Sequence, residues 1–474
     1  MSAIWRKGRK VILFLLVVAA AGWYESAAHA SQYYVSKAGS NADGRSWAGA
    51  WSELDQIHWD LIQAADTIIL DGGSDQMIYT STLTVRASAR ADAPITISAS
   101  DGTGHDGRVV IFGGRDKPLV SGHATKYEYV TQGVRKHGVD FGSASYVVLE
   151  GQRWRGIAIH GHNNCGIKFS AGSSHVTVRN VEVYDNGWAY FDAKQQWWNS
   201  DGPGVGLTGS NQTFERAIIH DNGQDCFQSG GGVAQFTLRS SWLYNGRVHL
   251  RSPCLSFNYT MHPDGIQIYN GGRQSGVLCE GCIVGPGLMQ GTILGQTPSN
   301  GSSAQIDDVV IRNCLLIDAS NCNIMGYPQV QSQNWRMENV TSFMTRTNLD
   351  GKSTSNVFLA GGGHSITNSI FYGAALQLPA GTAVTDNIQF HTIGLSVGLT
   401  ADPQFVNAPA YDSLPDLQTL IHSDFALKGG SGASGKGSAI TSVVQLLGTA
   451  DLIPVAPAPD PAEAPVLTEK EKGK

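Results

Sequence analysis

Two short segments share one pattern of acid, spacer, large apolar residue and amide: Asp225-Cys-Phe-Gln228 and Asp264-Gly-Ile-Gln267. Asp201-Gly-Pro-Gly precedes them and Gln290-Gly-Thr-Ile follows. Lys168, in Cys165-Gly-Ile-Lys168, holds the amide's position one unit before Asp201. If Phe227 and Ile266 turn inward, alternation turns Gln228 and Gln267 outward. Asp201, Asp225 and Asp264 would then stand at one corner of consecutive units. Carboxylates about 5 or about 10 Å apart are the pairs that acid–base cleavage of a glycosidic bond employs. Mutual repulsion would keep one of them protonated near neutrality. Strict alternation gives the opposite outcome, in which the acids share the inward side of Phe227 and Ile266 and cap turns. Burial of the acids distinguishes the two expectations.

Other groups crowd the same stretch. His262-Pro-Asp264 sets an imidazole beside the third acid, and the segment Arg247–Met261 before it carries His249, Arg251 and Tyr259. Trp188, Tyr190, Trp197 and Trp198 fall just before Asp201, and Tyr269 follows Gln267. Aromatic rings on loops beside a polar groove are platforms for the apolar faces of sugars. The candidate catalytic groups are therefore Asp201, Asp225, Asp264 and His262. The candidate binding groups are Lys168, Gln228, Gln267, Trp197, Trp198, Tyr269 and Arg251. His160 and His162 read as exposed turn residues. Cys279-Glu-Gly-Cys282 has no second such pair and no clustered histidine, so no metal site is expected there.

Recurring short strands must position these groups. Tyr146-Val-Val-Leu-Glu-Gly, His175-Val-Thr-Val-Arg-Asn, Gln235-Phe-Thr-Leu-Arg-Ser, Gly276-Val-Leu-Cys-Glu-Gly and Asp308-Val-Val-Ile-Arg-Asn are alternating strands that end at a polar corner. A second apolar strand follows each, such as Val181-Glu-Val or Leu315-Leu-Ile. One such unit cannot bury its own apolar face, so the units must stack, and their uneven spacing means loops inserted between strands. Stacked coils lie about 4.8 Å apart, and side chains at one register form ladders. Cys282 and Cys314 share a register, as an interior ladder or a disulfide. Trp51–Ala65 reads as an amphipathic helix with Trp51, Leu54, Ile57, Leu61 and Ile62 on one face, covering the first coil at Thr67-Ile-Ile-Leu-Asp. Ala401–Gly437 is irregular and would close the other end.

These features resemble known families. Tyr33-Tyr-Val-Ser, the capping segment and Ala65-Asp-Thr-Ile-Ile-Leu look like the opening of bacterial right-handed parallel β-helix proteins of pectate-lyase type. Asp402-Pro-Gln-Phe-Val, Asp424-Phe-Ala-Leu-Lys and Gly429–Gly437 look like their ending. The resemblance implies an all-β chain, a single-stranded right-handed parallel β-helix with an N-terminal capping helix and an irregular C-terminal cap. It leaves the chemistry open among lyases, hydrolases, epimerases and adhesins. Asn199-Ser-Asp-Gly202 with Gln224-Asp-Cys226 is similar to the catalytic motifs of polygalacturonases. That match puts Asp201 and Asp225 on catalytic carboxylates, with Gln224 where that family has a further Asp and Asp264 left to supply it. His220-Asp-Asn-Gly-Gln-Asp225 is similar to a stretch of secreted alginate epimerases.

The ends and the charge bound the function. Arg6, Lys7, Arg9 and Lys10, the apolar run Val11–Ala21 and Ala28-His29-Ala30 read as a signal peptide over residues 1–30. The net charge is −6, and removing residues 1–30 takes away four basic residues and one acidic one. Such an acidic chain is a poor ligand for nucleic acid or, once processed, for an anionic membrane. The expected division is an N-terminal cap with the first coils over 31–115, a loop-bearing β-helix over 116–400, a C-terminal cap over 401–440, and a Pro/Ala-rich, charged tail over 441–474. The leading reading is an exported glycoside hydrolase, secreted or periplasmic and monomeric, with a polysaccharide as its partner and no required cofactor. A polyuronate lyase or C5-epimerase on the same groove, with Ca²⁺ on the Asp cluster, is the second. A non-catalytic glycan binder is the third.

Overall fold

The computed structural model describes residues 30–114, 120–122, 136–187, 189–191, 197–199, 202–229, 231–245, 263–269, 272–295, 305–319, 321–327, 331–345, 355–394, 396–410 and 417–447. Three long sheets run through them. Sheet A extends from Gln32–Val35 to Ala383–Thr385, sheet B from Gln76–Tyr79 to Gly398–Thr400, and sheet C from Leu83–Thr84 to Ile393–Gly394. Every pairing within them is parallel. The chain passes from A to B to C and back to A one coil further on, as in Ser174–Arg179, Val181–Tyr184, Val205–Gly206 and Thr213–Glu215. This is a right-handed parallel β-helix.

Local chemistry explains the corner between sheets A and B. One residue must turn the chain, and it does so in the left-handed conformation: Asn180 (φ 58°), Asn313 (φ 51°), Asn339 (φ 54°) and Asn368 (φ 52°). Asparagine tolerates this region better than other residues with a Cβ, which gives the polar corner its composition. Inward side chains fill the coil. Phe141 stacks on Phe169 at 5.0 Å between ring centres, and Phe214 meets Phe227 edge-on at 4.8 Å. At a second corner Asn186 donates to Asn222 Oδ1 at 3.1 Å, satisfying buried polar groups coil by coil.

Both ends depart from expectation. Instead of one helix, the N-terminal cap forms two short 3₁₀ turns, Leu54–Gln56 and Trp59–Leu61. Ile57 is extended between them, which spreads Trp51, Leu54, Ile57 and Ile62 across the first coil and leaves Leu61 40% exposed. The C-terminal segment runs along the outside of sheet B. Phe425 packs on Phe343 at 4.9 Å between ring centres, and the Ser438 and Gly437 amides donate to Thr341 Oγ1 and to the Asn368 carbonyl at 2.9 and 2.8 Å. The reason lies in sheet B itself, whose outward residues Trp242, Ile283, Leu315 and Ile370 are apolar and need a cover.

Nearer the N-terminus, sheet B carries an outward ring stack of Phe112, His160, Tyr184, His220 and Tyr244. Glu182, buried beneath it, pairs with Arg108, with Arg155 at 3.1 Å and with His220 at 3.2 Å. His160 and His162 are thus not exposed turn residues. The first is half-buried in the stack, and the second is fully buried with Nδ1 2.8 Å from Asn186 Oδ1.

Candidate functional site

Sheet C is the sheet that the long connections serve. The chain between sheet B and sheet C lengthens after Phe112, Tyr184, Tyr244 and Phe343, and the chain leaving sheet C lengthens after Leu294. Two of these connections build a small sheet of their own. Ala189–Phe191 pairs in parallel with Val120–Gly122 and antiparallel with Trp197–Asn199. The aromatic stretch before Asp201 therefore contains two strands rather than a plain loop. The side chains of Trp197 and Trp198 lie outside the described residues, as do Asp201, Arg251 and His262.

The outward face of sheet C is set by strict alternation. Phe227 and Ile266 pair and are fully buried, so their neighbours Gln228 and Gln267 pair on the other side. Following the register, Asp140 stands beside Lys168, Lys168 beside Gly206, Gly206 beside Gln228 and Gln228 beside Gln267. Lys168 thus occupies the amide column, as its position in the sequence implies. Its ammonium lies 3.7 Å from Asp140 Oδ2 and is partly exposed. At Gly206 a Cβ would lie 3.1 Å from Cys165 Sγ, so the column stays low between the cation and the amides. Further along, the register reaches Met325, Phe358 and Gln377. Tyr269 and Tyr327 follow directly on the strands Ile266–Ile268 and Cys322–Gly326 and are half-buried.

The acids behave differently. Asp225 and Asp264 share one register two residues before Phe227 and Ile266, and both are fully buried. Asp225 Oδ1 accepts from the Asp264 amide at 2.8 Å, and its Oδ2 accepts from Gln228 Nε2 at 3.0 Å. Asp264 repeats the arrangement one coil on, accepting from the Gln290 amide at 2.9 Å and from Gln267 Nε2 at 3.1 Å. Each carboxylate therefore ties its coil to the next, and each glutamine folds over the acid three residues before it. Gln228 also donates to Gln267 Oε1 at 3.4 Å, linking the two units. This corrects the expectation of an open groove lined by acids. The inward side of the alternation prevails because the backbone donors that the acids satisfy lie at the coil's corner.

The register also assigns a different residue to the coil before Asp225. Val205 pairs with Phe227, so the position under Asp225 is Pro203, and Asp201 falls two residues earlier.

Beside this face His137 is held neutral. Burial, then the charges of Lys168 and Lys136, push its pKa down to about 4. Burial pushes the Cys165 thiol up to about 12, so it offers no nucleophile at neutral pH. Among the described residues the only grouping with metal-ligand spacing is Cys279, Cys282 and Cys314, buried at the corner between sheets A and B and away from this face. Asp140, Met325, Tyr327 and Phe358 were not singled out from the sequence. Counting the same offsets along Cys322-Asn-Ile-Met325 would have found the middle two.

Fold and face together define a right-handed parallel β-helix with a polar and aromatic strip on sheet C. Among solved structures the chain is similar to pectate lyase Pel9A, at 16% identity over 91% of this chain and 95% of that one, with a TM-score of 0.42. It is similar to a rhamnogalacturonan lyase at 13% identity over 86% and 99%, with a TM-score of 0.46. A Yersinia enterocolitica family 28 exopolygalacturonase matches at 12% identity over 78% and 77%, with a TM-score of 0.39. At these identities the likeness is one of fold alone. No family model matches the chain, and no curated protein matches it.

Proposed function

We propose that the protein is an exported, monomeric, polysaccharide-active protein that holds an extended glycan along the outer face of sheet C, parallel to the coil axis. The observation that carries this reading is the single outward column Asp140, Lys168, Gly206, Gln228 and Gln267, flanked by Tyr269 and Tyr327. Amides, hydroxyls and aromatic edges repeated about every 4.8 Å suit a polymer with a repeating polar edge. Lys168 at one end favours a polymer bearing carboxylates over a neutral one. The long connections beside sheet C, which include Asp201, Arg251 and His262, are where catalytic groups would enter.

The test is affinity measurement of the processed protein against neutral and uronate polysaccharides, read at once for new reducing ends and for the ultraviolet absorbance of unsaturated uronates. Binding of a uronate polymer that weakens in Gln228→Ala and Tyr269→Ala supports the proposal. Unchanged binding in both variants, or no binding to any polymer, rejects it. Unsaturated ends mark a lyase, saturated reducing ends a hydrolase, and neither a binding protein or an epimerase.

A hydrolase acting through Asp225 and Asp264 is a second reading, favoured by their placement on consecutive coils at the close spacing of a retaining pair. It requires both oxygens of one acid to give up the donors they now hold. Hydrolytic activity that survives in Asp225→Asn and Asp264→Asn removes it. Ca²⁺ belongs to the lyase or epimerase reading, and stimulation of turnover by Ca²⁺ with suppression by a chelator would mark it.

A further inference from the structure

The corner between sheets A and B holds a cluster that the glycan reading does not use. Cys279 ends the strand Arg273–Glu280 pointing inward, Cys282 lies just past Gly281, and Cys314 occupies the position of Cys282 one coil on, because Ile283 pairs with Leu315. All three are buried, and their sulfurs lie within 4.8 Å of one another. The contacts separate them. Cys314 Sγ lies 3.6 Å from Cys279 Sγ and 3.4 Å from the Cys279 carbonyl oxygen, leaning back onto that residue. Cys282 Sγ, also within 4.8 Å of both sulfurs, donates to the carbonyls of Leu238 on the preceding coil, at 3.5 Å, and of Glu280, at 3.3 Å.

The surroundings are apolar, with Leu238, Val277, Ile311 and Leu316 in the same core. Three thiolates around an ion would carry net charge into that core, and a tetrahedral ion would lack its fourth ligand. A disulfide is neutral and needs neither. We propose that Cys279 and Cys314 form a disulfide that staples two consecutive coils, leaving Cys282 as a thiol. Two S–H bonds break and one S–S bond forms. The two protons and two electrons pass to a donor disulfide, such as oxidised glutathione or an oxidised dithiol oxidoreductase, which is reduced to its two thiols. With every sulfur buried, the exchange takes place while the coils are still closing.

The pairing stands on the corner geometry and needs only a disulfide donor, so refolding tests it apart from export and apart from glycan binding. The full chain is unfolded with reductant, refolded with a glutathione redox pair, alkylated in denaturant and cleaved after glutamate. Cleavage at Glu280 separates Cys279 from Cys282 for mass spectrometry. The expected result is a Cys279–Cys314 linked peptide pair with Cys282 alkylated, a link that persists in Cys282→Ser. The oxidised protein should also unfold at higher denaturant than the reduced one, a shift that disappears in Cys314→Ser. Alkylation of all three residues, a link through Cys282, or stoichiometric zinc or copper retained by the three thiols overturns the proposal. The map of the unmutated protein decides even where a variant does not fold.

Discussion

Sheets B and C present opposite outer surfaces on one solenoid. Along sheet B the outward positions run Ile218, Trp242, Ile283, Leu315, Thr341 and Ile370, all but Thr341 apolar, and the C-terminal segment packs against this column. Along sheet C they run Lys168, Gly206, Gln228, Gln267, Ile293, Met325 and Phe358, polar in the first half and apolar beyond it. The inward columns are mostly apolar in both sheets, with Ser342 in sheet B and Thr292 in sheet C as buried exceptions, so the coil itself does not distinguish the two faces. The outward residue does: along the apolar stretch of sheet B the chain supplies a second layer, whereas the polar stretch of sheet C keeps Lys168 and Gln228 partly exposed. The same rule separates stabilising positions from binding positions, and substitutions can test it face by face.

The largest effect belongs under the C-terminal cover. Phe343 is fully buried between Tyr372 at 4.8 Å and Phe425 at 4.9 Å. Phe343→Ala should cost about 3–5 kcal/mol in denaturant unfolding, whereas Met325→Ala on sheet C should stay within about 0.5 kcal/mol. Equal losses would erase the distinction between the faces. The corner leading from B towards C carries the next. Burial pushes the Asp318 pKa from 3.8 up to about 6, against the bonds it accepts from Thr345. A raised acid favours the fold while protonated, so its contribution is present below about pH 4 and is lost as pH rises through 6. Asp318→Asn should gain up to about 3 kcal/mol at pH 7 and nothing at pH 3.5, which stability curves at the two pH values would show. A loss at pH 7 would mean that the charged form is the one the corner holds.

Asp264 tests whether the acids belong to the core or to the face. Asp264→Ala strands the Gln290 amide and Gln267 Nε2, and should cost about 1–3 kcal/mol. Unchanged stability with altered turnover would return the acid to the groove and break the comparison at its central residue.

The sequence displays the coil well because strand alternation and one-residue polar corners are local. The Lys168–Gln228–Gln267 column is legible for the same reason, since a period of two carries over from strand to strand. The coil before Asp225 was not legible, because the number of residues ahead of a strand is not a local signal: the register places Pro203, not Asp201, under Asp225. The inward setting of Asp225 and Asp264 was one of two outcomes the alternation allowed, and the corner amides of Asp264 and Gln290, which the two carboxylates accept from, decided it. Leu315-Leu-Ile contained the missing information on the C-terminal cover, because three apolar residues in succession mean that both faces of sheet B are buried. The segment read as one helix forms two 3₁₀ turns, because the chain extends at Ile57 between them.

Binding effects come next in size. Lys168→Ala should weaken a uronate polymer about fivefold, or about 1 kcal/mol for an exposed charge, and leave a neutral polymer untouched. Equal weakening of both would make Lys168 a packing residue of the strip rather than its charge reader.

Sheet A gives the smallest effect and the control for both other faces. Its outer column alternates in sign from coil to coil: Glu150, Arg179, Glu215, Arg239, Glu280, Arg312 and Glu338. Glu280 sits between Arg239 at 3.0 Å and Arg312 at 2.6 Å, all three partly exposed. Such pairs contribute little each in water, so Glu280→Gln should cost less than about 1 kcal/mol at low salt and almost nothing at high salt. Alternation has a second consequence, since slipping the stack by one whole coil would place like charges together. Glu280→Arg creates that clash in place, with three cations on adjacent coils, and should cost more than Glu280→Gln while losing the excess as salt rises. A salt-independent loss would show the ladder acting through the packing of its aliphatic stems, and sheet A would then join sheet B as a face that needs covering.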